Sequence, residues 1–173
     1  YEWYFLAKKK PYFIPGLFFL IFSFYSTYQI RNINDNSYQF FLIILVICIS
    51  TDIGGYVFGK TLKGPKLTPH SPNKTISGLI GSYIFALCSI PFLIYFNQLK
   101  FNQLFSIIIF VILLSTISQL GDILISFFKR KSKLKDTGNI IPGHGGLLDR
   151  IDGMLFAFPA AYLITPNNLI DKI

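Results

Sequence analysis

Long apolar runs alternate with short polar stretches along the whole chain. A helix crossing a bilayer needs about 20 mostly apolar residues, and five runs have that character: 12–30, 38–58, 76–96, 103–128 and 147–165. Residues 1–7 read as the tail of an earlier helix. Connections fall at 8–11, 31–37, 59–75, 97–102 and 129–146. The pattern predicts an all-α, polytopic integral membrane protein of about five transmembrane helices with two long basic loops. No internal repeat or low-complexity linker divides it, so residues 1–173 read as one transmembrane domain. Because the chain begins at Tyr1 rather than Met, further helices are expected upstream.

Two runs change character before they end. In 103–128, Ile107 to Leu114 is apolar, and then Ser115, Gln119, Asp122 and Ser126 arrive at offsets of four, seven and eleven, one face of a helix. Asp122 lies seven residues before Lys129, roughly 10 Å along the axis. A charge at the centre of a spanning helix costs on the order of 3 kcal/mol, which a bound cation, a watery cavity or a Lys or Arg on a neighbouring helix would offset. In 38–58, Phe40 to Ile49 is apolar, then Ser50, Thr51 and Asp52 precede Gly54, Gly55 and Gly59. Small residues allow close helix approach, which would bring this end to the same cavity.

Composition sharpens the class. Of the 173 residues 52% are hydrophobic and 14% charged, against roughly 25% charged in soluble domains. The net charge of +8 does not point to nucleic acid, because the cations sit in short loops between apolar segments. Lys8 to Lys10, Lys60 to Lys74, Lys129 to Lys135 and Arg150 place thirteen Lys and Arg on one side; Arg31, Lys100 and Lys172 are the three on the other. That asymmetry puts the basic loops in the cytoplasm, at the inner membrane. Cys48 and Cys88 lie in apolar runs and read as buried, unpaired small residues.

Gly54 to Thr61 fits the P-loop expression G-x-x-x-x-G-K-T. A spanning helix precedes it rather than a β-strand, and Tyr56, Val57 and Phe58 fill the turn, so the P-loop reading is rejected. In 59–75, Pro65, Pro69 and Pro72 exclude a continuous helix. Ser71, Lys74 and Thr75 then lead into a helix starting near Ile76, whose unpaired N–H groups suit an anion. After the basic stretch Lys129–Lys135, the run Pro142-Gly143-His144-Gly145-Gly146 permits a tight bend, and Asp149 and Asp152, three apart, share a helical face with Arg150 turned partly away. Mg²⁺ takes one or two carboxylates and keeps its other positions for water and phosphate oxygens, which Asp122 with Asp149 would satisfy. Zinc spacing and nucleophile motifs are absent. His70 receives no role.

Ser126 to Arg130, Lys135 to Gly138 and Ile141 to Asp152 together resemble the signature of the phosphatidate cytidylyltransferases, the CDP-diacylglycerol synthases. Ser71 to Thr75 with Gly78, Gln119 to Asp122, and Asp52 with Tyr56 and Gly59 resemble further stretches of that family, so the likeness covers about residues 50 to 160. The resemblance implies transfer of the cytidylyl group of CTP to phosphatidate by a membrane-embedded homodimer. It makes Asp122 and Asp149 ligands of a cation centre whose main ion is Mg²⁺, a second cation being left open. Asp152 and Lys135 join them in the catalytic set, while Ser71, Lys74, Lys129, Arg130, His144 and Arg150 meet CTP or the lipid phosphate. Which of Asp52, Asp136 and Asp152 touch the ion stays open. Rival readings are a CTP-dependent kinase of polyprenol or phytol and, in another class, an ion-coupled transporter.

Overall fold

The computed structural model describes all residues except 33–36, 69–70, 98–103, 139, 141–144 and 165–173, and the side chains of Ser37, Ser71, Pro72, Asn73, Phe96 and Asn97 are likewise not described. In chain order the elements are α1 (Glu2–Ala7), α2 (Phe13–Asn32), α3 (Ser37–Leu62), β1 (Lys66–Thr68), β2 (Ser71–Thr75), α4 (Ile76–Cys88), α5 (Ile90–Asn97), α6 (Leu104–Lys131), α7 (Leu148–Ile151) and α8 (Met154–Ile164). Four stretches are long and apolar enough to cross a membrane: Phe13–Asn32, Tyr38–Leu62, Ile76–Tyr95 and Leu104–Lys131. Their outward faces carry Phe18, Ile21, Tyr28 and Phe105, all exposed, a surface that hydrocarbon satisfies and water does not. The chain is an all-α, multi-pass membrane protein.

The fifth expected span is different. Residues 147–165 are not one helix but the single turn α7, a break at Asp152 and Gly153, and the eleven-residue α8. Eleven residues rise about 16 Å, half the thickness of a hydrocarbon core. At the break Gly153 lies so close to α6 that a Cβ there would collide with Ser118. Within α8, Pro159 has no N–H to give to Leu155 four residues back, so that carbonyl is left without its helical donor. The Ser23 hydroxyl of α2 donates to it at 2.8 Å, which ties α8 into the bundle.

The core joins α3, α6 and α8 through Ile44, Ile47, Cys48, Val111, Leu114, Ala157 and Phe158, all buried. Cys48 fits the expected burial; Cys88, on the outward face of α4, does not, and both are free thiols. The closest helix pair is α3 against α4. A Cβ on Gly54 would strike the Gly81 carbonyl, and one on Gly78 would lie 2.8 Å from the Gly55 carbonyl. Gly54 to Thr61 is helical throughout, so the P-loop expression forms no loop. The proline-rich connection pairs β1 with β2 in an antiparallel hairpin, with Lys66 opposite Thr75. Thr75 leaves that hairpin as the cap of α4, its hydroxyl oxygen accepting the Gly78 N–H at 3.1 Å.

Candidate active site

Where α3 and α6 turn polar, they enclose a cavity of about 400 Å³ with β2, α4 and α7. From α3 come Thr51 and Asp52; from α6, Gln119, Asp122 and Lys129; from β2, Lys74; and from the α7 turn, Asp149, Arg150 and Asp152. The periodic polar face of α6 is the reason Asp122 and Lys129, two turns apart, look into one space. Beneath them Thr51 bonds Ser115 at 3.0 Å and the Gln119 amide donates to Ser115 at 3.3 Å, so the floor is hydroxyl and amide rather than hydrocarbon.

Two ion pairs cross the cavity. Lys74 of the hairpin meets Asp122, and Lys129 meets Asp149 at 2.8 Å. The second is the more enclosed, its side chains 13% and 11% exposed against 25% and 28% for the first. Asp149 has further donors on its other oxygen, namely the N–H of Thr137 at 2.8 Å, the N–H of Gly146 at 3.0 Å and the Thr137 hydroxyl at 3.0 Å. Burial opposes its ionisation, but Lys129 and the two backbone N–H groups outweigh burial and hold the carboxyl below the usual range. Asp152, by contrast, is pushed up to about 8, first by burial and then by the Asp122 charge, despite the Gly153 N–H on its oxygen. With every group ionised the wall holds four carboxylates (Asp52, Asp122, Asp149, Asp152) against three cations (Lys74, Lys129, Arg150). With Asp152 protonated the two sets balance.

This donor set suits a hard divalent ion. It offers carboxylate, hydroxyl and amide oxygens, and the mutual repulsion of Asp122 and Asp152 calls for added positive charge. Among the described residues no three acidic, His or Cys side chains already form a coordination cage. Mg²⁺ does not require one, as it takes one or two carboxylates and fills the rest with water and phosphate oxygens.

Of the residues singled out in the sequence, Asp122, Asp149, Asp152, Lys74, Lys129 and Arg150 come together here, and so does Asp52. Arg150, expected to turn partly away, also lines the cavity, because α7 is only one turn long. Arg130 and Lys135 do not line it. Arg130 is rotated about 100° around α6 from Lys129 and is exposed, donating to the Leu134 carbonyl at 3.4 Å. Lys135 is exposed beyond a turn at Lys133, where φ is +58°. Asp136 is exposed and borders Gly145 rather than the cavity. His144 and His70 lie outside the described residues, and of Ser71 only the backbone is described, in β2. Two residues behind the wall were given no role in the sequence: Thr137, which binds Asp149, and Glu2, which binds Thr137. Glu2 is the sole glutamate of the chain and interrupts an apolar stretch, the signal by which it is findable.

The fold and the cavity together define a multi-pass membrane protein with acidic and basic side chains gathered near its helix ends. The sequence model of the cytidylyltransferase family matches residues 4–166, and the chain belongs to that family. It is 39% identical over 137 residues to a phosphatidate cytidylyltransferase of Bacillus subtilis, covering 79% of this chain and 51% of that protein. It is 43% identical over 141 residues to one of Rickettsia bellii (76% and 61%) and 40% identical over 127 residues to one of Staphylococcus haemolyticus (73% and 48%). The chain thus spans about half the length of the relatives it matches.

Proposed function

We propose that this chain transfers the cytidylyl group of CTP to phosphatidate, giving CDP-diacylglycerol and pyrophosphate. The observation that carries the reading is a cavity in which four carboxyl groups face three cations near the ends of spanning helices. A lipid phosphate is already ionised, so no covalent enzyme intermediate is needed. One of its oxygens forms a bond to the α-phosphorus of CTP, and the bond from that phosphorus to the β-phosphate bridge breaks. Electrostatic repulsion between the two anions is the main barrier, and positioning and charge neutralisation lower it.

Lys74 and Lys129, held into the cavity by Asp122 and Asp149, supply ammonium groups for the triphosphate, and Arg150 a planar fork of donors. Mg²⁺, held by Asp122 and Asp149 with a second cation left open, would neutralise charge on the triphosphate and the leaving pyrophosphate. Asp152, on giving up its proton, would add to the pull of the wall on such an ion. The cavity's place near the helix ends lets acyl chains stay in lipid while the head group meets soluble CTP. Thirteen Lys and Arg beside the basic loops against Arg31 and Lys100 on the other side, with Lys172 left uncounted past the half-length α8, support an inner-membrane protein with this site on the cytoplasmic face. We further propose that it works as a homodimer.

The direct test is pyrophosphate release from CTP by the purified chain, with and without phosphatidate and Mg²⁺. Release that needs both supports the reading; release of CDP in its place, or none with both supplied, refutes it.

A further inference from the structure

We infer that Glu2 is a positioning residue for this site: it holds the turn that carries Asp149 and Arg150 against the wall of the cavity. The inference rests on the reading of the cavity as the active site. Glu2 is 7% exposed, although an unpaired carboxylate in such a place would be strongly disfavoured. Its Oε1 accepts the Leu147 N–H at 2.7 Å, and its Oε2 accepts the Leu148 N–H at 2.6 Å. Oε2 also lies 3.2 Å from the Thr137 hydroxyl, the same hydroxyl that lies 3.0 Å from Asp149. Three successive N–H groups, of Gly146, Leu147 and Leu148, are therefore divided between Asp149 and Glu2. One hydroxyl with one hydrogen joins the two carboxylates.

The glycines of the loop fit this arrangement. A Cβ on Gly146 would lie 2.8 Å from both Glu2 oxygens and collide with the Thr137 hydroxyl, and one on Gly138 would lie 3.1 Å from the Glu2 Cγ. The loop is thus packed onto the Glu2 carboxyl on two sides. Leu6, Trp3 and Ala7 anchor α1 from below in a buried cluster with Leu148 and Leu155, and the Ser132 hydroxyl donates to the Leu6 carbonyl. A segment 135 or more residues distant in sequence thereby fixes where Asp149 stands. Glutamine in this place offers one carbonyl oxygen to three donors and turns an NH₂ group toward others. Glu2→Gln therefore releases the turn while leaving Lys74 on β2 and Lys129 on α6 where they are.

The test compares wild-type chain and Glu2→Gln in lipid nanodiscs, by amide hydrogen exchange over 145–149 and by steady-state turnover of CTP with phosphatidate. Exchange over that turn is expected to quicken roughly tenfold or more while α6 keeps its protection. The kcat per folded molecule should fall roughly tenfold or more, with the KM for CTP moving less than about threefold. A purely structural Glu2 would lower only the folded fraction, and unchanged exchange of the turn or unchanged kcat overturns the inference. Should Glu2→Gln not fold, Thr137→Val removes only the shared hydroxyl and must show the same pattern more weakly; wild-type exchange and kcat there overturn it as well. If the wild-type chain turns over no CTP, the functional reading fails by itself, and the exchange arm still decides whether Glu2 anchors the turn.

Discussion

At the residue scale the cavity is a set of charges that hold one another in place. Asp149 receives Lys129, two backbone N–H groups and a hydroxyl, so Asp149→Asn both deprives the site of charge and loosens Thr137 and Gly146. Turnover should fall at least roughly 100-fold, with the spanning helices still melting together in a thermal scan. Lys129→Ala leaves Asp149 enclosed without its ammonium and should raise the apparent KM for CTP. Asp152 has the opposite titration. Its folded pKa of about 8 lies above the ~3.9 of an unfolded Asp, so between these values the folded chain binds the extra proton. Stability then falls as pH rises from about 4 to about 8. In chelator-treated protein, Asp152→Asn should flatten that part of a melting-temperature profile against pH, and a profile as steep as wild type would contradict the assignment. Most of these residues were legible before the fold. An Asp in a span, a hydroxyl–amide stripe at helical spacing and a carboxylate pair three apart each break a local rule that apolar packing would keep. Glu2 and Thr137 were given no role: Glu2 stands out as a lone glutamate but meets Thr137 across 135 residues of chain, and the contact of Thr137 with Asp149, though only twelve residues long, follows no helical or strand period. Nor could spacing alone say that Lys129 faces inward while Arg130 faces out.

Among the elements, α3 and α4 matter most, because their approach sets the width of the cavity. Their contact is made by Gly54, Gly55, Gly78 and Gly81, and a Cβ on Gly81 would meet Phe58 and the Gly54 carbonyl. Gly81→Ala should destabilise the chain by about 1–3 kcal/mol, read as an earlier thermal transition in detergent with turnover lost alongside. Ser23→Ala is expected to act at a distance from the site, leaving the Leu155 carbonyl opposite Pro159 unsatisfied and loosening α8 by about 1–3 kcal/mol. Limited proteolysis would show it as faster cleavage within 153–164. Four spans were readable from apolar length, and their bounds fall within a few residues of the expected ones. The fifth was read too long, since an apolar run looks the same whether a helix continues or breaks at Asp152 and Gly153. The hairpin in the proline-rich loop was also missed. Three prolines exclude a helix there, but they do not say what replaces it.

As a whole molecule, the chain is an apolar bundle in which seven charged side chains line a cavity near the helix ends, on the side proposed from its Lys and Arg to face the cytoplasm. A composition poor in charge yet strongly basic follows from apolar spans joined by basic connections. The chain belongs to the cytidylyltransferase family, and the position of the transferred phosphorus separates the proposed cytidylyl transfer from kinase activity. The decisive measurement incubates the chain with phosphatidate, Mg²⁺ and CTP radiolabelled at either the α- or the γ-phosphate, then extracts the lipid. Label from the α-position in the lipid fraction, with γ-label released as pyrophosphate, is the predicted result. Label from the γ-position in the lipid, or none from either, would contradict the account.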